Sequence, residues 1–198
     1  PILAEVVKSE YKPSKKLMEH IAGVIGGEQQ YVLLDEQRIV YDKIIGLVEK
    51  GFHKTDKYVI IVRGGPGTGK SVIAINLMAD LLLKGFNAHY ATGSKAFTET
   101  LRKIIGRRGG IQFKYFNSYS DAQVDEIDVL ICDESHRIRI TSNDRHTRRE
   151  SRSALYQIEE LLKVGRVCVF FIDDDQVVRP GEIGSADYII NAAKEKKI

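Results

Sequence analysis

Hydrophobic and polar residues alternate along this chain with two different periods. Apolar residues recur at helical intervals of three and four in the segments 14–27, 35–51, 70–85, 94–106, 153–165 and from about Ala186 onward. Between them lie short apolar runs typical of strands, at 58–62, 87–92, 111–116, 127–132 and 166–172. Strands separated by helices predict an α/β fold, in which a parallel β-sheet is sandwiched by helices.

The chain divides into N-terminal helices, 1–52, that lead into an α/β core, 53–198. Its 198 residues, of which 43% are hydrophobic, suffice for one globular core. No apolar run approaches the roughly 20 residues that cross a bilayer, and no secretory leader pattern opens the sequence. We therefore expect a cytoplasmic protein, in which Cys132 and Cys168 are small hydrophobic residues of the core.

A glycine-rich segment, 64–71, matches the pattern G-x-x-x-x-G-K-[ST] between a predicted strand and a predicted helix. Glycines let backbone N–H groups approach a phosphate chain and allow positive φ. The alternative is a glycine-rich turn that contains a lysine by chance. Lys70 would add charge at the β- and γ-phosphates, and Ser71 would bind Mg²⁺. The sequence thus predicts ATP and Mg²⁺ as cofactors, with a nucleotide-binding segment formed by Gly65, Pro66, Gly67, Thr68, Gly69, Lys70, Ser71 and Val72.

Acidic and amide residues follow two other predicted strands. In "VLICDESH", Asp133 is predicted to hold the Mg²⁺ shell and Glu134 to polarise an attacking water. In "FFIDDDQ", the amide of Gln176 is predicted to sense the γ-phosphate. The alternatives are a pair of acids that caps the next helix and a solvated acidic turn.

The order of these segments resembles the first RecA-like motor domain of superfamily 1 helicases. The stretches "GGPGTGKSVIAINL", "YATGSKAF", "CDESHRIR" and "FFIDDDQVVRPGEIGS" resemble the DUF2075 family, which is related to the helicase region of the Schlafen proteins, over about 33–185. This resemblance implies a RecA-like P-loop NTPase sheet, with the "DDDQ" strand between the phosphate-loop strand and the "DESH" strand. It also implies that Gln37 contacts adenine.

The same resemblance places two loops against a nucleic-acid backbone. They contain Thr92, Ser94 and Lys95 in "YATGSK", and Asn117 in "FNSYSD". The basic stretch 136–152 adds arginines that could neutralise phosphates of DNA or RNA, among them Arg145, Arg148 and Arg149. The alternatives are ordinary strand-to-helix loops and a solvated basic loop.

The predicted function is that of an ATP-binding and ATP-hydrolysing motor lobe of a superfamily 1-like DNA/RNA helicase or translocase. A P-loop kinase of a nucleoside or small molecule, and a nucleotide-binding switch module with little catalysis, remain alternatives. Superfamily 1 motors close a second RecA-like lobe over the nucleotide, and the residues after "DDDQ" are too few for one. We therefore expect the N-terminal lobe of a larger protein, or a fragment, that is a weak ATPase by itself.

Overall fold

The computed structural model of the protein describes Gly23 and residues 33–53, 57–144, 147–176 and 179–198. The predicted helix at 14–27 lies outside the described residues except for Gly23. The helices are α1 (Asp35–His53), α2 (Lys70–Leu83), α3 (Lys95–Gly109), α4 (Gln157–Val164) and α5 (Ala186–Glu195). The strands are β1 (Tyr58–Arg63), β2 (Ala88–Thr92), β3 (Phe113–Tyr115), β4 (Ile127–Asp133) and β5 (Gly165–Ile172). Short 3-10 helices cover Gly110–Gln112, Phe116–Tyr119, Ser135–Arg137 and Arg149–Ser151.

The strands form one five-stranded sheet in the order β1-β5-β4-β2-β3. Every neighbouring pair is parallel. The predicted position of the "DDDQ" strand is confirmed, because β5 pairs with β1 on one side and with β4 on the other. Parallel strands end at the same edge of a sheet, so the segments that follow β1, β4 and β5 are brought together there.

Hydrophobic side chains cover both faces of the sheet, since successive strand residues point to opposite sides. On β5, Val167, Val169 and Phe171 join a cluster with α1, α2 and α3. The alternate residues Cys168 and Phe170 join a second cluster with α4 and α5. The predicted α/β fold with a helix-covered parallel sheet is thereby confirmed.

Some predicted boundaries move for local reasons. Helix α4 begins at Gln157 rather than near 153, because the N–H of Tyr156 donates to Glu159 and sets the first turn there. Helix α3 continues past the expected end at Gly106 to Gly109, with Gly106 at a φ of 79° marking a kink. In the described part of the chain, no helix is both long and apolar enough to span a membrane.

Candidate functional site

The phosphate loop joins β1 to α2 at the carboxyl edge of the sheet. Gly67 and Gly69 have φ values of 76° and 84°, which glycine adopts without a steric penalty. A Cβ at position 69 would collide with Nε2 of Gln37, and one at position 64 would lie 2.8 Å from Oγ1 of Thr68. The loop therefore requires glycine for its conformation at positions 67 and 69, and its backbone suits the wrapping of a phosphate chain.

Lys70 extends back across this loop. Its Nζ donates to the carbonyl oxygens of Gly64 and Gly65 at 2.6 and 2.8 Å and lies 3.3 Å from Oδ2 of Asp173. The side chain of Lys70 is only 13% exposed, and that of Asp173 is 1% exposed. A nearly buried ammonium group thus lies between the phosphate loop and the end of β5.

Asp133 ends β4 and is fully enclosed. Its carboxylate accepts hydrogen bonds from the hydroxyl of Tyr90 at 2.5 Å and from the N–H of Glu134 at 2.9 Å, and it lines one small pocket with Ser71. Burial and the adjacent charge of Glu134 raise the pKa of Asp133 despite these hydrogen bonds. A bound cation would favour the charged carboxylate, and the oxygens of Asp133 and Ser71 are ligands that suit Mg²⁺.

Glu134 has left-handed backbone angles, with φ at 56° and ψ at 43°, which cost energy for a residue other than glycine. Its Oε2 lies 3.0 Å from Nε2 of His136 and 3.7 Å from Nε of Arg137. Burial alone would raise the pKa of Glu134, but the hydrogen bond from His136 and the charges of His136, Arg137 and Lys70 lower it. The side chain is therefore a carboxylate at neutral pH, the form that a general base requires.

The acidic segment after β5 makes several hydrogen bonds, with Asp173 buried and Asp174 and Asp175 exposed. Nε2 of Gln176 donates to Oδ2 of Asp173 at 3.3 Å, the same oxygen that contacts Lys70. Oδ1 of Asp174 accepts the N–H of Ala186 at the start of α5. The carboxylate of Asp173 thus links the amide of Gln176 to the ammonium group of Lys70.

Gln37 connects α1 to the phosphate loop. Its Oε1 accepts the N–H of Leu34, and its Nε2 donates to the carbonyl of Thr68, both at 3.1 Å. A groove of about 660 Å³, which we call the α1 groove, runs between this helix end and the loop. Its walls include the apolar side chains of Leu34, Val40, Val62 and Ile73.

A second groove, of about 360 Å³, lies at the carboxyl ends of β2 and β3, and we call it the β2 groove. It brings together three residues predicted to contact nucleic acid: Thr92, Lys95 and Asn117. Its charged lining residues are Lys95, Arg137, Arg139, Asp144 and Glu182. Three cations and two carboxylates give the lining an excess of one positive charge.

The other residues predicted to contact nucleic acid lie elsewhere. Ser94 is buried, and its hydroxyl accepts the N–H of Phe97 as the N-cap of α3. Arg148 and Arg149 are exposed at a short 3-10 helix and do not line the β2 groove. Arg145 lies outside the described residues. The structure therefore gathers only part of the predicted set.

The sequence does not predict the contacts that two further residues, Tyr90 and Arg137, make in the site. Tyr90 sits in a buried strand, where an aromatic residue is typical of a core. Its contact with Asp133 follows from the pairing of β2 with β4, which no local pattern encodes. Arg137 is one arginine among many in the basic stretch, and only the turn after β4 brings it to Glu134.

The segment before α5 packs directly on the turn that follows β4. The N–H groups of Ile183 and Gly184 both donate to the carbonyl of Ile138, at 2.7 and 3.2 Å. A Cβ at position 184 would collide with the carbonyl of Ser135. This contact fixes the two acidic segments relative to each other.

A parallel sheet with a glycine-rich loop between β1 and α2 defines the class of P-loop α/β domains. Residues 57–198 match the family described as Schlafen group 3, DNA/RNA helicase domain. The chain belongs to this family, which confirms the predicted relation to Schlafen helicases, whereas the narrower DUF2075 assignment stays a prediction.

Among solved structures, the chain is similar to AMPPCP-bound DnaA from Aquifex aeolicus, with a TM-score of 0.40 and 14% sequence identity. The similarity covers 83% of this chain and 46% of the DnaA chain, so it spans less than half of that protein. Comparison with curated proteins gives no match.

Proposed function

We propose that this domain binds Mg·ATP at the carboxyl edge of its sheet and hydrolyses it as a motor lobe of a DNA or RNA helicase or translocase. The observation that carries the proposal is the small pocket that Ser71 shares with the buried carboxylate of Asp133. This pocket lies between the start of α2 and the end of β4, so that both oxygens expected to hold a metal ion line one small space. Membership of a helicase-domain family agrees with this arrangement.

The phosphates would be held by the backbone N–H groups of 65–72 and by the ammonium of Lys70. Mg²⁺, held by Ser71 and Asp133, would neutralise charge on the phosphate oxygens. The base would enter the α1 groove, whose apolar side chains suit an aromatic ring. Gln37 lies at the wall of this groove, where an adenine contact is expected.

Glu134 would act as the general base that takes a proton from the attacking water. It is ionised at neutral pH, and His136 and Arg137 hold its Oε2 in place. Gln176 would report the presence of the γ-phosphate, since it shares Asp173 with Lys70. DNA or RNA would lie in the β2 groove, where cations and neutral donors suit a phosphodiester backbone.

Lys70→Ala tests the nucleotide site. We expect it to lower the affinity for ATP by about 10- to 100-fold, because hydrogen bonds to a charged group contribute about 1.5 to 3 kcal/mol. The measurement is isothermal titration calorimetry, with thermal unfolding as a check of the fold.

Lys84→Ala is the matched control, because it removes the same charge just beyond the other end of α2. Its affinity for ATP should equal that of the unchanged chain. A Lys70→Ala variant that folds and binds ATP normally would contradict the proposed site.

A further inference from the structure

We propose that Arg137 is a positioning residue shared between Glu134 and a nucleic-acid phosphate in the β2 groove, an inference that rests on the proposed function and deepens it. In this arrangement a single-stranded DNA or RNA backbone in the groove competes with Glu134 for the guanidinium. Occupancy of the groove thereby changes how the general base is held.

Arg137 lies on the boundary between two sites. It ends the 3-10 helix Ser135–Arg137 that follows β4, and it lines the β2 groove. It also lines a small pocket that contains Ser71, Asp133 and Glu134. One side chain therefore faces both the metal-binding carboxylate region and the groove for the nucleic acid.

The contact between Arg137 and Glu134 is an ion pair rather than a tight hydrogen bond. The distance from Nε to Oε2 is 3.7 Å, whereas His136 reaches the same oxygen at 3.0 Å. A guanidinium has five N–H donors, and Glu134 is its only ion-pair partner among the described residues. Arg137 thus holds Glu134 loosely and retains donors for a second anion.

The stem of Arg137 is fixed by the loop that forms one wall of the groove. A Cβ at Gly93 would lie 2.6 Å from Cβ and 3.2 Å from Cδ of Arg137. Gly93 stands between Thr92 and Ser94, in the loop expected to contact a nucleic-acid backbone. Because packed side chains have little free space, a ligand that presses on this loop also displaces the arginine.

The chemistry of the groove favours a phosphodiester as the second anion. Lys95 and Arg139 supply cations, and the exposed Asn117 supplies a neutral donor. Arginine binds phosphate through two parallel N–H···O bonds, which are stronger than the long contact with Glu134. The carboxylates of Asp144 and Glu182 keep the net positive charge of the groove small. The contribution of Arg137 to the affinity for nucleic acid is therefore a large share of the total.

The decisive test is a double-mutant cycle between Glu134 and Arg137, measured as affinity for nucleic acid without any nucleotide. Oligothymidylate and oligouridylate of equal length are titrated against the unchanged chain, Glu134→Gln, Arg137→Ala and the double variant, with fluorescence anisotropy as the readout. Glu134→Gln removes the competing charge, so it should tighten binding by about 3- to 10-fold. In the Arg137→Ala background, the same change should have no effect.

Arg139→Ala is the matched control, because the side chain of Arg139 lines the same groove but forms no ion pair with Glu134 among the described residues. It should weaken binding yet keep the gain from Glu134→Gln. Arg137→Lys serves as a second variant if Arg137→Ala unfolds, and it should reduce the gain, since lysine lacks the bidentate fork.

Equal affinity of Glu134→Gln and the unchanged chain would overturn the inference, as would an equal gain in the Arg137→Ala background. So would a failure of the unchanged chain to bind either oligonucleotide, although nucleotide binding would still be judged by Lys70→Ala. A gain with both oligonucleotides supports recognition of the shared phosphodiester. A gain with one of them supports the inference and identifies the track as DNA or RNA.

Discussion

The two grooves at the carboxyl edge of the sheet are built in different ways. The α1 groove borders the phosphate loop, a single continuous segment whose glycines adopt positive φ and whose lysine is nearly buried. The β2 groove is assembled from the ends of β2 and β3, from the stretch 137–144 after β4 and from residues far apart in sequence. Ligand binding at the phosphate loop depends on the shape of the backbone, whereas ligand binding in the β2 groove depends on side chains from separate segments.

The charges of the two regions also differ in exposure. Lys70 pairs with the buried Asp173, whereas the side chain of Lys95 is 80% exposed and lies 3.8 Å from Glu99. Salt screens exposed charges far more than buried ones. We therefore expect the two regions to respond differently to mutation and to ionic strength.

The largest effect should come from Glu134→Gln, which keeps the size of the side chain but removes the base. ATP hydrolysis should fall on the order of 10²-fold or more. Single-turnover phosphate release, with protein in excess over labelled ATP, measures the rate even if the chain is a slow enzyme. ATP affinity, measured by calorimetry, should be retained, and equal losses of both would indicate a structural role for Glu134.

A smaller effect is expected from Tyr90→Phe, which removes the hydroxyl that donates to Asp133. Groups that orient a metal ligand typically change metal affinity by about 10- to 100-fold when mutated, and we expect the lower end. The readout is the Mg²⁺ concentration that half-maximally tightens binding of a non-hydrolysable ATP analogue.

Tyr119→Phe provides the control for Tyr90→Phe, because its hydroxyl is also buried but lies near His89 instead. It should leave the Mg²⁺ dependence unchanged. In EDTA, which removes Mg²⁺, the nucleotide affinity of Tyr90→Phe and of Tyr119→Phe should equal that of the unchanged chain. A shift in that metal-free affinity for Tyr90→Phe alone would point to a general packing defect.

The smallest effects belong to the exposed cations of the β2 groove. Lys95→Ala and Arg139→Ala should each lower affinity for single-stranded nucleic acid by about 2- to 5-fold, and binding should weaken as salt rises. ATP affinity should remain the same in both variants, because these residues do not line the α1 groove. A parallel loss of ATP binding would contradict the separation of the two regions.

The phosphate loop and the strand order could be predicted because the required information is local or carried by resemblance. Gly64, Gly69, Lys70 and Ser71 stand in one short segment between a strand and a helix. The position of β5 was implied by the resemblance to the RecA-like domains of superfamily 1 helicases, and it is confirmed by the two parallel partners of this strand.

The contacts that tune the site could not be predicted, because they depend on strand register and on turns. The hydroxyl of Tyr90 reaches Asp133 only because β2 pairs with β4 in one register. The density of arginines in the stretch 136–152 predicted nucleic-acid contacts for Arg148 and Arg149, but the turn after β4 puts Arg137 and Arg139 at the β2 groove instead. Density of charge along a sequence does not determine which charge is near a site.

The contact at Gly184 has a mechanical consequence. Two backbone hydrogen bonds and a direct backbone contact join the segment before α5 to the turn after β4, with no side chain between them to yield. A movement of the segment before α5 therefore requires a movement of the turn that contains Ser135 and His136, because neither backbone can shift past the other. Gly184 is the point of closest approach, and any side chain at this position would push the two segments apart.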